Sequence, residues 1–425
     1  MERIEKIRGT EDIFDQYAAE FEIIRNKFSS LAKQYGYSYI QTPVIENRNL
    51  FIRSIGNTSD IVKKEFYEFK DKGERDIVLR PEGTASVIRA IVESKMLNTK
   101  PLPLKYFYFA PMFRYERPQS GRLRQFHQFG VECVGTNSYY DDVETISLAM
   151  DLVNELNMKD CYLSINNIGS PVSRKQWIDV LTKYFEKYQD QLTNDSRSRI
   201  HTNPLRILDD KVDGNKDFVI NAPKIDQFLS QEEKDYFTNV CQQLDNLKIK
   251  YKVDNNLVRG LDYYSNLVFE VNTIDPVLKG QPTILGGGRY GSLVAELGGS
   301  DVSCVGFAIG IERLLVLMNA QKLSAEYKLY VDVCLAPINN SFNDYSLLLA
   351  NNLRKNGLRV ITNYSANKMK ANFKLSEQYF TKYILIYGQK EVDNHSVIVK
   401  DQEKMTETEV QLKDLLNFLQ TNENH

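Results

Sequence analysis

Four arginines crowd one short stretch of this chain, residues 113–132 (FRYERPQSGRLRQFHQFGVE): Arg114, Arg117, Arg122 and Arg124. Apolar runs flank it at 106–110 and 131–134, and a Pro-Gln-Ser-Gly turn sits in the middle, so it reads as strand, loop, strand. Side chains alternate faces along a strand. Arg122, Arg124, Phe126, Gln128 and Glu132 therefore share one face of the return strand, and Arg114 and Glu116 share a face of the outgoing one. Arginines, a ring, an amide and a carboxylate on one face do not make a hydrophobic core. Such a face suits a ligand with an anionic part, a flat ring and a cationic or N–H-bearing part; ATP with an amino acid fits. An arginine-rich turn by itself can equally be a solvated hairpin. His127 has the opposite parity and is expected to point away from the arginines, in a structural role.

Four further segments carry chemistry-bearing residues. Arg80-Pro81-Glu82-Gly83-Thr84 follows an apolar run and precedes a helical one; Glu82 and Thr84 suit an α-ammonium group, or Thr84 simply caps the helix. Val258-Arg259-Gly260-Leu261-Asp262-Tyr263-Tyr264 is a candidate pocket wall, or a turn with two core tyrosines. Gly286-Gly287-Gly288 reads as a turn leading into a helix from Arg289, where a ligand could approach the backbone closely. Residues 306–313 open a helix and place Arg313 in it. There is no Gly-x-x-x-x-Gly-Lys phosphate loop and no Ser-His-Asp or Cys-His constellation.

The elements that must hold these residues need more than one domain: at 425 residues, two or three are expected. A 42% hydrophobic and 26% charged composition is that of a globular chain, and no apolar run reaches membrane-spanning length. The N-terminus is charged from its second residue, without an apolar signal core, so the cytoplasm is expected. Five scattered cysteines without a Cys-x-x-Cys pair, and four histidines without ligand spacing, argue against a disulfide frame or a protein-held metal; the cysteines are expected to be buried thiols. A helix is expected at 15–35, a strand at 37–44, a hairpin around 71–74, a helix at 141–156 and strands at 161–166 and 267–271. Between 170 and 252 the texture turns polar with helical spacing, as an inserted helical subdomain would. Past 324, strands (330–335, 358–362, 383–387, 397–400) alternate with helices (342–356, 365–379, 410–419), which marks a small α/β domain. Within it, residues 354–390 hold eight Lys/Arg against one acid, Glu377, a balance that suits a polyanion.

Taken in order, these segments resemble a known set. Arg114 with Glu116, then Arg122 with Phe126, resembles the second signature motif of class II aminoacyl-tRNA synthetases; 306–313 resembles the third, and 37–46, with Pro43, the first. Residues 259–264 and 286–290 resemble the two motifs specific to histidyl-tRNA synthetases. The resemblance runs from about residue 8 to 318, and the C-terminal α/β domain is similar to that family's anticodon-binding domain.

The resemblance implies an α+β fold: a class II antiparallel sheet flanked by helices over 1–325, with the insertion at 170–252, and an anticodon-binding α/β domain at 326–425. It implies ATP-dependent ligation of L-histidine to its tRNA through histidyl-adenylate, with Mg2+ carried by the ATP, no protein-held metal, and a homodimer built on the first motif. Arg114 would hold the α-phosphate and the substrate carboxylate, and Arg259 would be the catalytic arginine at the α-phosphate. Glu116 would contact the adenine amine, Phe126 would stack on the base, and Arg122 and Arg313 would grip the outer phosphates. Glu82, Thr84 and Gln128 would hold the α-ammonium and carboxylate end. Glu132 and Tyr264 would read the imidazole nitrogens, with Tyr263 and Tyr290 lining the pocket. Arg354, Lys355, Arg359, Lys368, Lys370 and Lys374 would bind the tRNA anticodon arm. The insertion would brace the acceptor arm and not edit. A silent paralogue regulating ATP phosphoribosyltransferase is the alternative; such a chain can dispense with the catalytic arginine and the anticodon domain, both of which have counterparts here.

Overall fold

The computed structural model describes residues 3–55, 62, 64–208, 210, 212–259, 263–278, 282–323 and 331–420. Residues Gly260, Leu261 and Asp262 of the tyrosine motif, and 324–330, where the sequence pattern changes, lie outside them. The chain divides into two compact units, Met1–Ala325 and Glu326–His425.

The first unit carries strands β1 (Ser38–Tyr39), β2 (Ile45–Asn47), β3 (Tyr67–Lys70), β4 (Asp76–Leu79), β5 (Leu104–Phe113), β6 (Gln125–Val134), β7 (Cys161–Asn167), β8 (Tyr251–Val253), β9 (Tyr264–Thr273), β10 (Thr283–Tyr290) and β11 (Cys304–Gly310). Eight of them form one sheet in the order β1-β5-β6-β11-β10-β9-β7-β8, antiparallel except for the outer pairs β1–β5 and β7–β8. Strands β2, β4 and β3 form a small antiparallel sheet. Period-two alternation splits the large sheet cleanly. Phe107, Phe129, Val131, Phe269, Val305 and Phe307 face helices Asp15–Gln34, Tyr139–Glu155, Gln231–Asn246 and Ile311–Ala320, and form the main core. The other face holds a smaller cluster beneath helix Thr84–Glu93, with Tyr108, Met112, Tyr263, Tyr264 and Tyr290.

Four expectations for this unit are corrected. Residues 306–310 do not open a helix: they lie in β11, and the helix begins only at Ile311, with Arg313 in its first turn. Gly286-Gly287-Gly288 is not a turn: it lies inside β10, and the next helix begins only at Ser292. The glycines serve close packing. A Cβ on Gly287 would sit 2.3 Å from the Gly306 carbonyl oxygen, and one on Gly288 2.5 Å from that of Leu267. The strand expected at 37–44 is only the two residues of β1. Of the cysteines, Cys133, Cys304 and Cys334 are buried, but Cys161 and Cys241 are half-buried.

Between β7 and β8 run helices from Pro171–Glu186 to Gln231–Asn246, with their own small core around Trp177, Leu181 and Phe185. One carboxylate fastens both ends of this segment. Glu233 completes a capping box with Ser230 and also accepts from the Ser170 amide (2.6 Å) and the Ser173 hydroxyl (2.8 Å).

The second unit is a sheet of β12 (Val333–Pro337), β13 (Val360–Ile361), β14 (Tyr383–Tyr387), β15 (Ser396–Asp401) and β16 (Thr406–Gln411), in the order β13-β12-β14-β15-β16. Strand β16 was not expected. Its sequence, TETEVQ, has almost no apolar signal because it is an exposed edge strand, and the final helix starts at Leu412.

Candidate active site

A floor of small residues crosses the sheet. One register row runs Glu270, Gly286, Ala308, Gly130, Tyr108; the next runs Val268, Gly288, Gly306, Glu132, Tyr106. The glycines leave room that their neighbours' side chains fill. Tyr108 lies across Gly130 and Gly83, and a Cβ on Gly306 would fall 2.2 Å from Glu132 Oε2. Glu132 is thereby laid flat on the sheet, buried.

Around that carboxyl the structure gathers residues from distant segments. Thr84, first residue of helix Thr84–Glu93, donates its hydroxyl to Glu132 Oε1 at 2.6 Å, and Tyr290 at the end of β10 donates to Oε2 at 2.5 Å. Tyr263 lies 4.7 Å, centroid to centroid, from Tyr264 and 5.4 Å from Tyr290. Burial is the main cause that pushes Glu132 up to about 8, held back in part by the Thr84 and Tyr290 hydroxyls. Burial likewise raises Glu82, although its carboxylate accepts from the backbone N–H groups of Thr84 (2.7 Å) and Ala85 (2.9 Å). Thr84 is thus not the helix cap; Glu82 satisfies those donors and Thr84 turns to Glu132.

Positive charge borders the pocket. Arg259 lies with its guanidinium 5.9 Å from the Tyr264 ring and pairs with Glu270. Arg114 donates Nε to the Pro81 carbonyl (2.9 Å) and sits 5.2 Å from the Phe126 ring. The second contact follows from register: Phe126 opposes Met112 near the end of β5, just before Arg114. Gly121, at φ 69, lets the hairpin tip pass over Arg313, where a Cβ would meet Arg313 Cγ at 3.1 Å. Burial and then the charge of Arg122 lower Arg313, so two cations face each other at this end, an arrangement that welcomes an anion.

The hairpin needs correcting in detail. β5 ends at Phe113 and β6 begins at Gln125, so Arg114, Glu116, Arg122 and Arg124 lie in the connecting loop, where strand parity does not apply. Arg122 pairs with Glu116 at 2.9 Å, while Arg124 lies 4.2 Å from the Tyr115 ring, off the site. Gln128 does share the site face, and its Oε1 is buried with no protein partner among the described residues. His127 points the other way: its Nδ1 is 2.8 Å from Glu312, its ring packs on Phe21 at 4.6 Å, and its amide donates to the Glu312 carboxylate.

Sequence reasoning missed Glu270, which holds Arg259; the available signal was an acid inside the apolar run 267–271. It also missed Arg289, a buried hub. Arg289 pairs with Asp142 (2.8 Å) and donates to Thr136 and Ser138 carbonyls at 2.6 and 2.9 Å. In the second unit, Arg354, Lys355, Arg359, Lys368, Lys370 and Lys374 are all exposed; Arg359 also pairs with Asp332 (2.6 Å) and Arg354 donates to the Val360 carbonyl (2.8 Å).

Comparison with known proteins shows the family. A family model described as histidyl-tRNA synthetase matches residues 9–314, and one described as an anticodon binding domain matches 332–422. The chain is 45% identical over 415 residues to the histidine--tRNA ligase of Malacoplasma penetrans, covering 97% of each chain. It is 46% identical over 405 residues to that of Ureaplasma urealyticum, covering 94% of this chain and 96% of the other. The crystal structure of apo S. aureus histidyl-tRNA synthetase superposes with a TM-score of 0.84 at 34% identity, over 98% of this chain and 100% of that one. The chain belongs to the histidyl-tRNA synthetase family.

Proposed function

We propose that this chain joins L-histidine to its tRNA in two ATP-driven steps, with the residues just described in named roles. The single observation that carries the reading is Glu132, a carboxyl buried among Thr84, Tyr264 and Tyr290, with Arg259 against the Tyr264 ring. Membership of the family implies ATP, histidine and tRNA as substrates.

In the first step the histidine carboxylate, ionised at neutral pH, attacks the α-phosphorus of ATP; the new O–P bond forms as the bond to pyrophosphate breaks. No general base is needed. The obstacle is anion meeting anion, and fixed guanidinium groups answer it by positioning and charge. Arg114 and Arg259 are assigned to the α-phosphate, Phe126 and Glu116 to the adenine, and Arg122 and Arg313 to the outer phosphates, which Mg2+ of the MgATP substrate would bridge. Glu116 and Arg122 pair with each other here, so nucleotide entry would separate them. Glu82, Thr84 and Gln128 are assigned to the amino-acid backbone. Glu132 and Tyr264 are assigned to the imidazole nitrogens, one donor and one acceptor in the neutral ring. Side chains that leave such buried groups unpaired are rejected by roughly 10⁴–10⁵, so the segment 170–252 is assigned to the acceptor arm and not to editing. In the second step a terminal ribose hydroxyl of tRNA displaces AMP.

Exposed Lys355, Lys368, Lys370 and Lys374 support an anticodon-arm contact in the second unit; Arg354 and Arg359 contribute from side chains already tied to the fold. Exposed Tyr39, Ile45 and Phe69 on β1, β2 and β3 support a homodimer through that region, testable by sedimentation. No described helix is long and apolar enough to cross a membrane. Five free thiols suit a reducing compartment, and the cytoplasm is the one proposed. A silent regulatory paralogue is not favoured: full-length relatives at 45–46% identity are named as ligases. ATP–pyrophosphate exchange run with each amino acid in turn is the test. Exchange with histidine alone is expected; exchange with another amino acid, or with none, would overturn the reading.

A further inference from the structure

We infer that Glu270, steadied by Thr283, is a positioning residue that sets the guanidinium of Arg259 in its working orientation. The inference rests on the assignment of Arg259 to the α-phosphate.

Three contacts act on that one side chain. Arg259 donates Nη1 to Glu270 Oε1, and the other carboxylate oxygen accepts from the Thr283 hydroxyl at 2.9 Å, so both oxygens of Glu270 are engaged and its orientation is set. Gly286 stands directly opposite Glu270 across β9 and β10. A Cβ there would fall 2.3 Å from Arg259 Nη2 and 2.4 Å from its Cζ, so the guanidinium lies on bare backbone. The Tyr264 ring lies 5.9 Å from the guanidinium carbon. A flat cation held at its Nη1 by a carboxylate and seated on a glycine keeps its other N–H groups for an incoming oxyanion. One of them, Nε, is buried without a partner among the described residues, a vacancy that an oxygen of the substrate would fill.

Glu270 itself is hard to explain as packing. It interrupts an apolar run, Leu267-Val268-Phe269-Glu270-Val271, on the site face of a central strand. Burial is the largest single influence on Arg259 and would lower it; the charge and hydrogen bond of Glu270, together with Tyr264 and Tyr263, more than offset it and keep the guanidinium firmly protonated. A plain structural ion pair would do that too, so the test must read chemistry separately from stability.

Single-turnover histidyl-adenylate formation is measured for the full chain and for Glu270→Gln, Thr283→Val, Gly286→Ala, Arg259→Ala and the Arg259→Ala/Glu270→Gln double variant. Trp177 fluorescence melts check folding. Glu270→Gln is expected to slow the chemical step on the order of 10²-fold, with the Michaelis constants for histidine and ATP little changed. Thr283→Val should lose less, in the same direction. Gly286→Ala reaches the guanidinium from its other side and should reproduce the loss if Glu270→Gln fails to fold. The double variant should be no slower than Arg259→Ala, because Glu270 acts only through that arginine. A loss that multiplies in the double variant, or normal rates for both Glu270→Gln and Gly286→Ala beside a slow Arg259→Ala, overturns the positioning role. A normal rate for Arg259→Ala overturns the site assignment and this inference with it.

Discussion

Replacing Glu132 by Gln should make the empty protein more stable while abolishing its selectivity, and the gain should grow with pH. Burial lifts this carboxyl from 4.5 to about 8. Between those values the folded chain holds a proton that the unfolded chain has released. The wild type is therefore most stable below the lower value and loses stability as pH rises to the upper one. Each pH unit in that interval is worth about 1.4 kcal/mol, so from about pH 5 to pH 7 the wild type should lose about 2.7 kcal/mol relative to the variant, and no more than about 5 kcal/mol in all. The amide is isosteric. It can still accept from the Thr84 hydroxyl, and Tyr290 can turn its oxygen to accept from the new NH₂, so no cavity confuses the result. Urea unfolding at several pH values, followed through the only tryptophan, Trp177, reads the gap. Histidine at a hundred times its dissociation constant should raise the wild type by about 2.7 kcal/mol and leave the variant almost unmoved. A gap that stays flat between pH 5 and 7 would refute the reasoning.

Other substitutions probe the same construction. Gly306→Ala should cost on the order of 1–3 kcal/mol and histidine-dependent exchange together, because the added carbon meets Glu132 Oε2 at 2.2 Å and the Val131 carbonyl oxygen at 2.4 Å; a normal melting temperature would contradict the packing described. Arg289→Ala leaves the buried Asp142 carboxylate without a counter-charge, with only the Tyr236 hydroxyl donating to it among its side-chain partners, and should cost about 3–5 kcal/mol by urea titration; a loss within error of zero would show the pair to be dispensable. Replacing Lys368, Lys370 and Lys374 with alanine should leave pyrophosphate exchange intact and flatten the salt dependence of tRNA binding by roughly 2 in log–log slope. An unchanged slope would remove those lysines from the interface.

Much of this architecture is legible in residue order. The parity of β6 puts Phe126, Gln128 and Glu132 on one face and His127 on the other, since period two is strict once a strand is established. Where the strand stops, the inference stops: Arg122 and Arg124 sit in the loop and take partners that parity cannot foresee. The triple glycine reads locally as a turn, yet its reason lies in what crosses over it, Arg259 on one residue and the β9 backbone on another. Arg289 finds Asp142 across 147 positions, and Glu270 on β9 finds Arg259 in the segment before that strand; neither contact leaves a mark in spacing. β16 hides because an edge strand that buries almost nothing needs no apolar alternation.

The most direct measurement is the rate of histidyl-adenylate formation by Arg259→Ala in a single turnover, with histidine and ATP both saturating. A fall on the order of 10²–10³-fold is expected from removing one positive charge at the reacting phosphate. A rate close to that of the unaltered chain would mean that the guanidinium beside Tyr264 takes no part in the reaction.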